Sequence, residues 1–368
     1  MLSSKEIHMR ATARLAMTGQ SIWLDNITRK LLDSGQLATW IAELSVVGLT
    51  SNPSIFEKAI TSSSDYDAQI RPLIAKGLKP EDIFFECALS DLTRAADLFR
   101  PVFERTGSVD GWVSLEVSPL LANDTAATIA QAKQLHARAN RLNLFIKVPG
   151  TPEGVPAIEE LIAAGVSINV TLLFSEAHFQ AAAESYLRGL ERRAAAGLPL
   201  GAVSSVASLF VSRWDRKTAP RLPDLWKNKV GIAVSRACYH AYCDLYSSDR
   251  WLALEAKGAR PQRLLYASTS TKDPALSATL YVEALASPRT VNTMPEETLL
   301  ALSQASEIRS VLAPSDRSWQ ATLDGAELAG VNIAHCASEL QVEGRDSFNK
   351  SWVDLIAKIE AKGSVLAG

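Results

Sequence analysis

Eight short apolar segments, separated largely by helix-forming stretches, narrow the fold of this chain more than any other feature. They are SIWLD (21–25), VVGLT (46–50), WVSLEV (112–117), LFIKV (144–148), SINVTLL (167–173), AVSSVAS (202–208), LLYAS (264–268) and RTVNT (289–293). Most lack a clean apolar–polar alternation, the pattern of parallel strands covered on both faces. Stretches 124–141, 152–165 and 176–197 between them are rich in Ala, Leu, Glu, Gln and Arg, which favour helix. Strand–helix–strand alternation predicts a parallel sheet. Eight repeats between Ser21 and Thr293 predict its closure into a (β/α)8 TIM barrel. An open doubly wound sheet is the rival, and it is disfavoured because no GxGxxG follows the first strand.

Two intervals exceed what one crossover needs. Residues 51–111 and 209–262 are expected to hold extra helices, with 81–107 and 233–258 carrying much of the helical pattern. The tail 295–368 is predominantly helical and shows no compositional break. It is expected to pack on the barrel, so that 1–368 forms one domain around core strands at about 21–293. Lys plus Arg number 38 against 40 Asp plus Glu, a formal charge of −2, which offers no global attraction for nucleic acid or an anionic membrane. No apolar run approaches the roughly 18 residues of a membrane span. The four cysteines are too few and scattered for a disulfide scaffold or a CxxC metal site, and the five histidines show no HExxH spacing. A cytoplasmic protein of a reducing compartment is the expectation.

Barrels of this kind carry their chemistry at the C-terminal ends of the strands, where the βα loops share one mouth. The strand ends supply Asp25, Thr50 with Asn52, Glu116, Lys147, Asn169 with Thr171, Ser208, Ser268, and Asn292 with Thr293. Polar residues are common in turns, so it is their convergence on one face that is informative. Lys147 is the sharpest of them, lying among Phe145, Ile146, Val148 and Pro149. Burial disfavours an ammonium group, and a neutral amine is the species that attacks a carbonyl to form a Schiff base. The same lysine also fits a snorkelling or scaffold ion-pair role.

Asp25, ending the first segment, and Glu116, in the third, suit proton transfer, directly or through one water. Asp25 equally fits a helix N-cap, and Glu116 a fixed counter-ion. Asn52, Asn169, Thr171 and Ser208 could orient a water or hold sugar hydroxyls. Arg213, with Arg216 and Lys217 behind it, and the turn Ser268–Lys272 suit a phosphate, or a solvated basic helix start beside a polar turn.

The stretches WLDNITRKLL, GLTSNPSIFEKAI, VSLEVSP, FIKVPGTPEG, INVTLLFS, VASLFVSRWD and TVNTMPEETL closely resemble the transaldolase family, from about residue 21 to 300. The resemblance implies a (β/α)8 barrel that transfers a dihydroxyacetone unit between sugar phosphates through a lysine Schiff base, with no metal or organic cofactor. It implies that Lys147 forms the Schiff base, that Asp25 moves the C4-hydroxyl proton, and that Glu116 acts through a water. It further implies that Asn52, Asn169, Thr171 and Ser208 position substrate or water, with Phe210 beside that water; Thr50, at the same strand ends, is expected to join them. Arg213, Ser268 and Lys272 are implied phosphate ligands. One departure stands out: Ser270 lies where many members carry a second phosphate arginine, and Lys272 is expected to supply the charge. A fructose-6-phosphate aldolase releasing free dihydroxyacetone, and a non-catalytic sugar-phosphate binder, are the alternatives. A monomer or homodimer is expected, with sugar phosphates as its small-molecule partners.

Overall fold

A computed structural model describes residues 9–271, 273–305, 308 and 310–367. Its eight strands are β1 (Ser21–Asp25), β2 (Val46–Thr50), β3 (Trp112–Glu116), β4 (Leu144–Pro149), β5 (Ile168–Leu173), β6 (Ser205–Phe210), β7 (Arg263–Ala267) and β8 (Val291–Met294). Every neighbouring pair is parallel, and β8 pairs with β1 to close the barrel. The predicted (β/α)8 TIM barrel with additional helices is therefore the observed fold. Nearly all strand residues are buried, which explains why they read as apolar runs rather than as alternating strands.

Inside the barrel, alternate residues of each strand stack in layers. Phe145 of β4 lies 4.0 Å from the Trp112 ring and 6.1 Å from Trp23, both stacked. Gly48 of β2 makes room for this cluster, because a Cβ there would meet the Trp23 indole at 2.5 Å. Lys147 is two residues beyond Phe145, so it projects from the same face one layer closer to the C-terminal mouth. The aromatic layer thus forms a floor beneath the amine.

Several boundaries differ from expectation, β8 beginning at Val291 rather than 289, and two of the differences have a local cause. β6 begins at Ser205 rather than 202, because Leu200–Ala202 form a 3-10 turn; the strand then ends on Phe210, bringing that ring to the mouth. The stretch 233–258 is two helices, Val230–Leu245 and Asp249–Glu255. Ser248 breaks them by capping the second, accepting from the Trp251 N–H at 3.3 Å. The interval after β2 holds helices Pro53–Thr61, Asp67–Ala75 and Pro80–Arg105. The tail supplies Glu296–Gln304, Trp319–Leu328 and the 35-residue helix Ile333–Ala367, which lies against the three helices after β2 and reaches β5. Among the described residues no helix is long and apolar enough to cross a membrane.

Candidate active site

Strand register brings the polar ends together. Glu116 pairs with Lys147, Lys147 with Asn169, and Asp25 with Thr50 across adjacent strands. Lys147 is only 5% exposed and its Nζ donates to Glu116 Oε2 at 3.0 Å and to the Ser51 carbonyl at 3.3 Å. Of the two readings left open for this lysine, snorkelling is excluded and the ion pair is present. Burial pushes the Glu116 carboxyl above its ordinary range, and the Lys147 ammonium opposes that rise only in part. A carboxylate held this way is a better proton acceptor for its neighbour.

Asp25 is not a helix cap. Thr28 fills that place, accepting from the Leu31 N–H at 3.0 Å. Asp25 Oδ1 instead accepts the Thr50 hydroxyl at 2.7 Å, and Thr50 Oγ1 lies 2.6 Å from Thr293 Oγ1. A threonine has one hydroxyl proton, so with Thr50 donating to Asp25, Thr293 donates to Thr50. On the far side of Lys147, Ser208 donates to Asn169 Oδ1 at 2.6 Å, and Asn169 Nδ2 donates to Ser114 Oγ at 3.1 Å.

Asn52 serves the backbone as well as the site. Its side chain caps Pro53–Thr61 by accepting from the Ile55 N–H at 3.1 Å. Thr171 lies at a bulge in β5, where the register to β6 shifts and Leu172 adopts φ +63°. Bulges re-aim side chains and favour functional edges. Thr171 Oγ1 is buried and makes no hydrogen bond among the described residues, the state of a hydroxyl that faces a ligand rather than the scaffold.

These groups converge on a cavity of about 220 Å³ lined by Asp25, Thr50, Asn52, Lys147, Thr171, Ser208, Phe210, Arg213, Ser268 and Ser270, among others. Glu116 and Asn169 sit just behind this wall, touching Lys147 and Ser208. Arg213 has no carboxylate within ion-pair distance among the described residues; its guanidinium lies 5.0 Å from the Phe210 ring centroid and 5.6 Å from that of Phe348. Burial, with the Arg216 cation second, pulls its pKa down to about 10, so it stays charged at neutral pH. Ser268 joins it through the start of helix Ser212–Thr218, with Ser212 Oγ 2.8 Å from Ser268 Oγ. Lys272 lies outside the described residues.

Sequence reasoning missed Ser54, Ser347 and Phe348, which also line the cavity. Phe348 belongs to the C-terminal helix, and nothing local to it signals a site. A larger cavity, about 370 Å³, lies at the opposite mouth beside Ile22, Trp112, Phe145 and Val206. It is mostly apolar and contains none of the lysine–carboxylate chemistry.

A closed parallel barrel with a buried amine, two carboxylates and an arginine that no carboxylate pairs with among the described residues, all at its C-terminal mouth, defines a (β/α)8-barrel enzyme. The family model for transaldolase/fructose-6-phosphate aldolase matches residues 22–359. The chain is 44% identical over 365 residues to transaldolase 2 of Streptomyces avermitilis, covering 97% of this chain and 98% of that one. It is 44% identical to the transaldolase of Acidothermus cellulolyticus, covering 94% and 95% of the two chains, and 44% identical to that of Thermobifida fusca, covering 94% and 96%. The chain belongs to the transaldolase/fructose-6-phosphate aldolase family.

Proposed function

We propose that this protein is a transaldolase that moves a dihydroxyacetone unit from sedoheptulose 7-phosphate to glyceraldehyde 3-phosphate, giving erythrose 4-phosphate and fructose 6-phosphate. The observation that carries this reading is the Lys147 amine, buried over an aromatic floor, 3.0 Å from Glu116 and in one cavity with Asp25 and Arg213.

Neutral Lys147 adds to the ketose C2 carbonyl, and the carbinolamine loses water to give a protonated imine. Glu116 accepts the ammonium proton beforehand and moves protons through a water during dehydration. Asp25 takes the proton from the C4 hydroxyl, the C3–C4 bond breaks, and erythrose 4-phosphate leaves. The bond electrons pass into the imine nitrogen, which serves as the electron sink. The resulting enamine attacks the aldehyde carbon of glyceraldehyde 3-phosphate, and Asp25 returns its proton to the new C4 oxygen. Hydrolysis then releases fructose 6-phosphate and the free amine.

Thr50 and Thr293 fix the Asp25 carboxylate through the hydroxyl chain. Asn52, Asn169, Thr171 and Ser208 hold substrate hydroxyls or the water, with Phe210 beside that water. Arg213 and Ser268 bind the phosphate, and the charge of Lys272 is assigned to the same role from the sequence alone. The four free cysteines agree with a reducing, cytoplasmic setting.

A coupled assay with fructose 6-phosphate and erythrose 4-phosphate tests the proposal. Acceptor-dependent turnover by the wild type, absent in Lys147→Ala, is the expected result. Release of dihydroxyacetone at a rate indifferent to acceptor would instead assign the aldolase reaction.

A further inference from the structure

The C-terminal helix Ile333–Ala367 presents Gln341, Gly344 and Phe348 at spacings of three and four, hence on one face. That face meets the cavity. Phe348 lies with its ring centroid 5.6 Å from the Arg213 Cζ and 5.4 Å from Lys147 Nζ. Its centroid is 6.3 Å from that of Phe210, the other ring flanking the guanidinium. Gly344 leaves the guanidinium room: a Cβ there would meet Arg213 Nη1 at 3.0 Å and Leu172 Cδ2 at 2.9 Å. Gln341 fastens the face to the barrel, donating to the carbonyls of Gly150 at 2.9 Å and Leu172 at 3.0 Å.

The short helix that carries Arg213 is tied to the same partner. Lys217 lies 3.0 Å from Glu339 and 2.6 Å from Glu343 of the C-terminal helix. From the other side, Asp215 accepts the Gly231 N–H at 3.0 Å and the Tyr281 hydroxyl at 2.9 Å. Arg213 is thus clamped by aromatic rings rather than by a carboxylate. Ring faces attract the guanidinium without consuming its N–H donors, so its edge remains available to an anion while the side chain is already ordered.

We propose that Phe348 and Gly344 of the C-terminal helix are positioning residues that hold Arg213 for the substrate phosphate and thereby set selectivity for phosphorylated over unphosphorylated aldehydes. The inference rests on the transaldolase reading and adds a recognition role for a helix far from the strand ends. Phe348 also reaches Lys147, so one ring spans the amine end and the anion end of the cavity.

The test is a competition between glyceraldehyde 3-phosphate and glyceraldehyde for enzyme loaded with saturating sedoheptulose 7-phosphate, read at initial rate as fructose 6-phosphate against fructose. Because both acceptors draw on the same loaded species, their product ratio is independent of how well the donor loads. Phe348→Leu, which keeps apolar bulk but removes the ring, is expected to lower the preference for the phosphorylated aldehyde on the order of tenfold. Gly344→Ala should lower it in the same direction, and Phe348→Tyr should retain most of it. The inhibition constant for inorganic phosphate should rise in parallel in the Leu and Ala variants. An unchanged ratio with equal loss on both acceptors, or with lost thermal stability alone, overturns the proposal. Absence of product with either aldehyde in the wild type would instead overturn the transaldolase reading beneath it.

Discussion

At the N-terminal mouth of the barrel, Arg263 donates to Asp110 Oδ1 and to Ser21 Oγ, both at 2.9 Å. Ser21 itself donates to Asp110 Oδ2 at 2.9 Å, and the Trp23 indole N–H reaches the same carboxylate at 3.4 Å. At the C-terminal mouth, Arg213 is flanked by Phe210 and Phe348 and meets no carboxylate within ion-pair distance among the described residues. Backbone geometry does not separate the two ends: Leu172 and Ser268 at the C-terminal mouth take positive φ, and so do Ser45, Ser108 and Arg289 beside the N-terminal cavity. A charge whose partners are all supplied by the protein stabilises one fold. A charge left to aromatic faces is arranged for something that arrives from solution.

The sharpest way to break this contrast is at Lys147. Lys147→Ala is expected to lower turnover on the order of 10⁴-fold or more, read in the coupled assay, while the protein remains folded. Glu116, already held above its ordinary range by burial, takes up a proton when its cation is removed. Arg213→Ala should follow, with kcat/KM for phosphorylated substrates falling on the order of 100-fold, mostly through KM. Its unfolding midpoint in urea should stay level or rise, because a partly desolvated cation with no carboxylate partner among the described residues has been removed. A large stability loss in that variant would mean the two mouths are alike after all.

The opposite mouth should give the opposite pattern. Asp110→Ala leaves Arg263 buried without its counter-ion and is expected to cost about 3 kcal/mol of unfolding free energy, with kcat changed by less than about threefold because the site lies at the other end. Chemical denaturation beside steady-state kinetics makes the comparison directly. A smaller effect concerns pH. Glu116 must be ionised to accept a proton, and its native pKa lies above the ordinary 4.5. Activity should therefore fall with decreasing pH at a higher pH than an unperturbed glutamate would give, and Glu116→Gln should remove that limb. The sign for stability is reversed. The native state holds this proton more tightly than the unfolded chain, so raising the pH from 4.5 through the native value costs stability.

Much of the fold was legible because parallel strands buried on both faces leave apolar runs, and because the strand ends carry their polar groups locally. Lys147, Glu116 and Asp25 were readable for the same reason: each breaks the apolar character of its own strand. The split at Ser248 was obscured because helical composition continues on both sides of a single capping hydroxyl. Phe348, Gly344 and Gln341 had no local signature. They lie on an ordinary helical face, and only the packing of Ile333–Ala367 across the mouth brings them to Arg213, Leu172 and Gly150. The Arg263–Asp110–Ser21 cluster was hidden likewise, since its members come from three separated strand entrances.

Borohydride reduction in the presence of fructose 6-phosphate, followed by peptide mass mapping, tests the central claim most directly. A dihydroxyacetone-derived adduct, reduced onto the peptide containing Lys147 and absent without sugar or in Lys147→Ala, is the predicted result. Catalytically competent protein that carries no adduct there, or carries it on another lysine, would contradict the account.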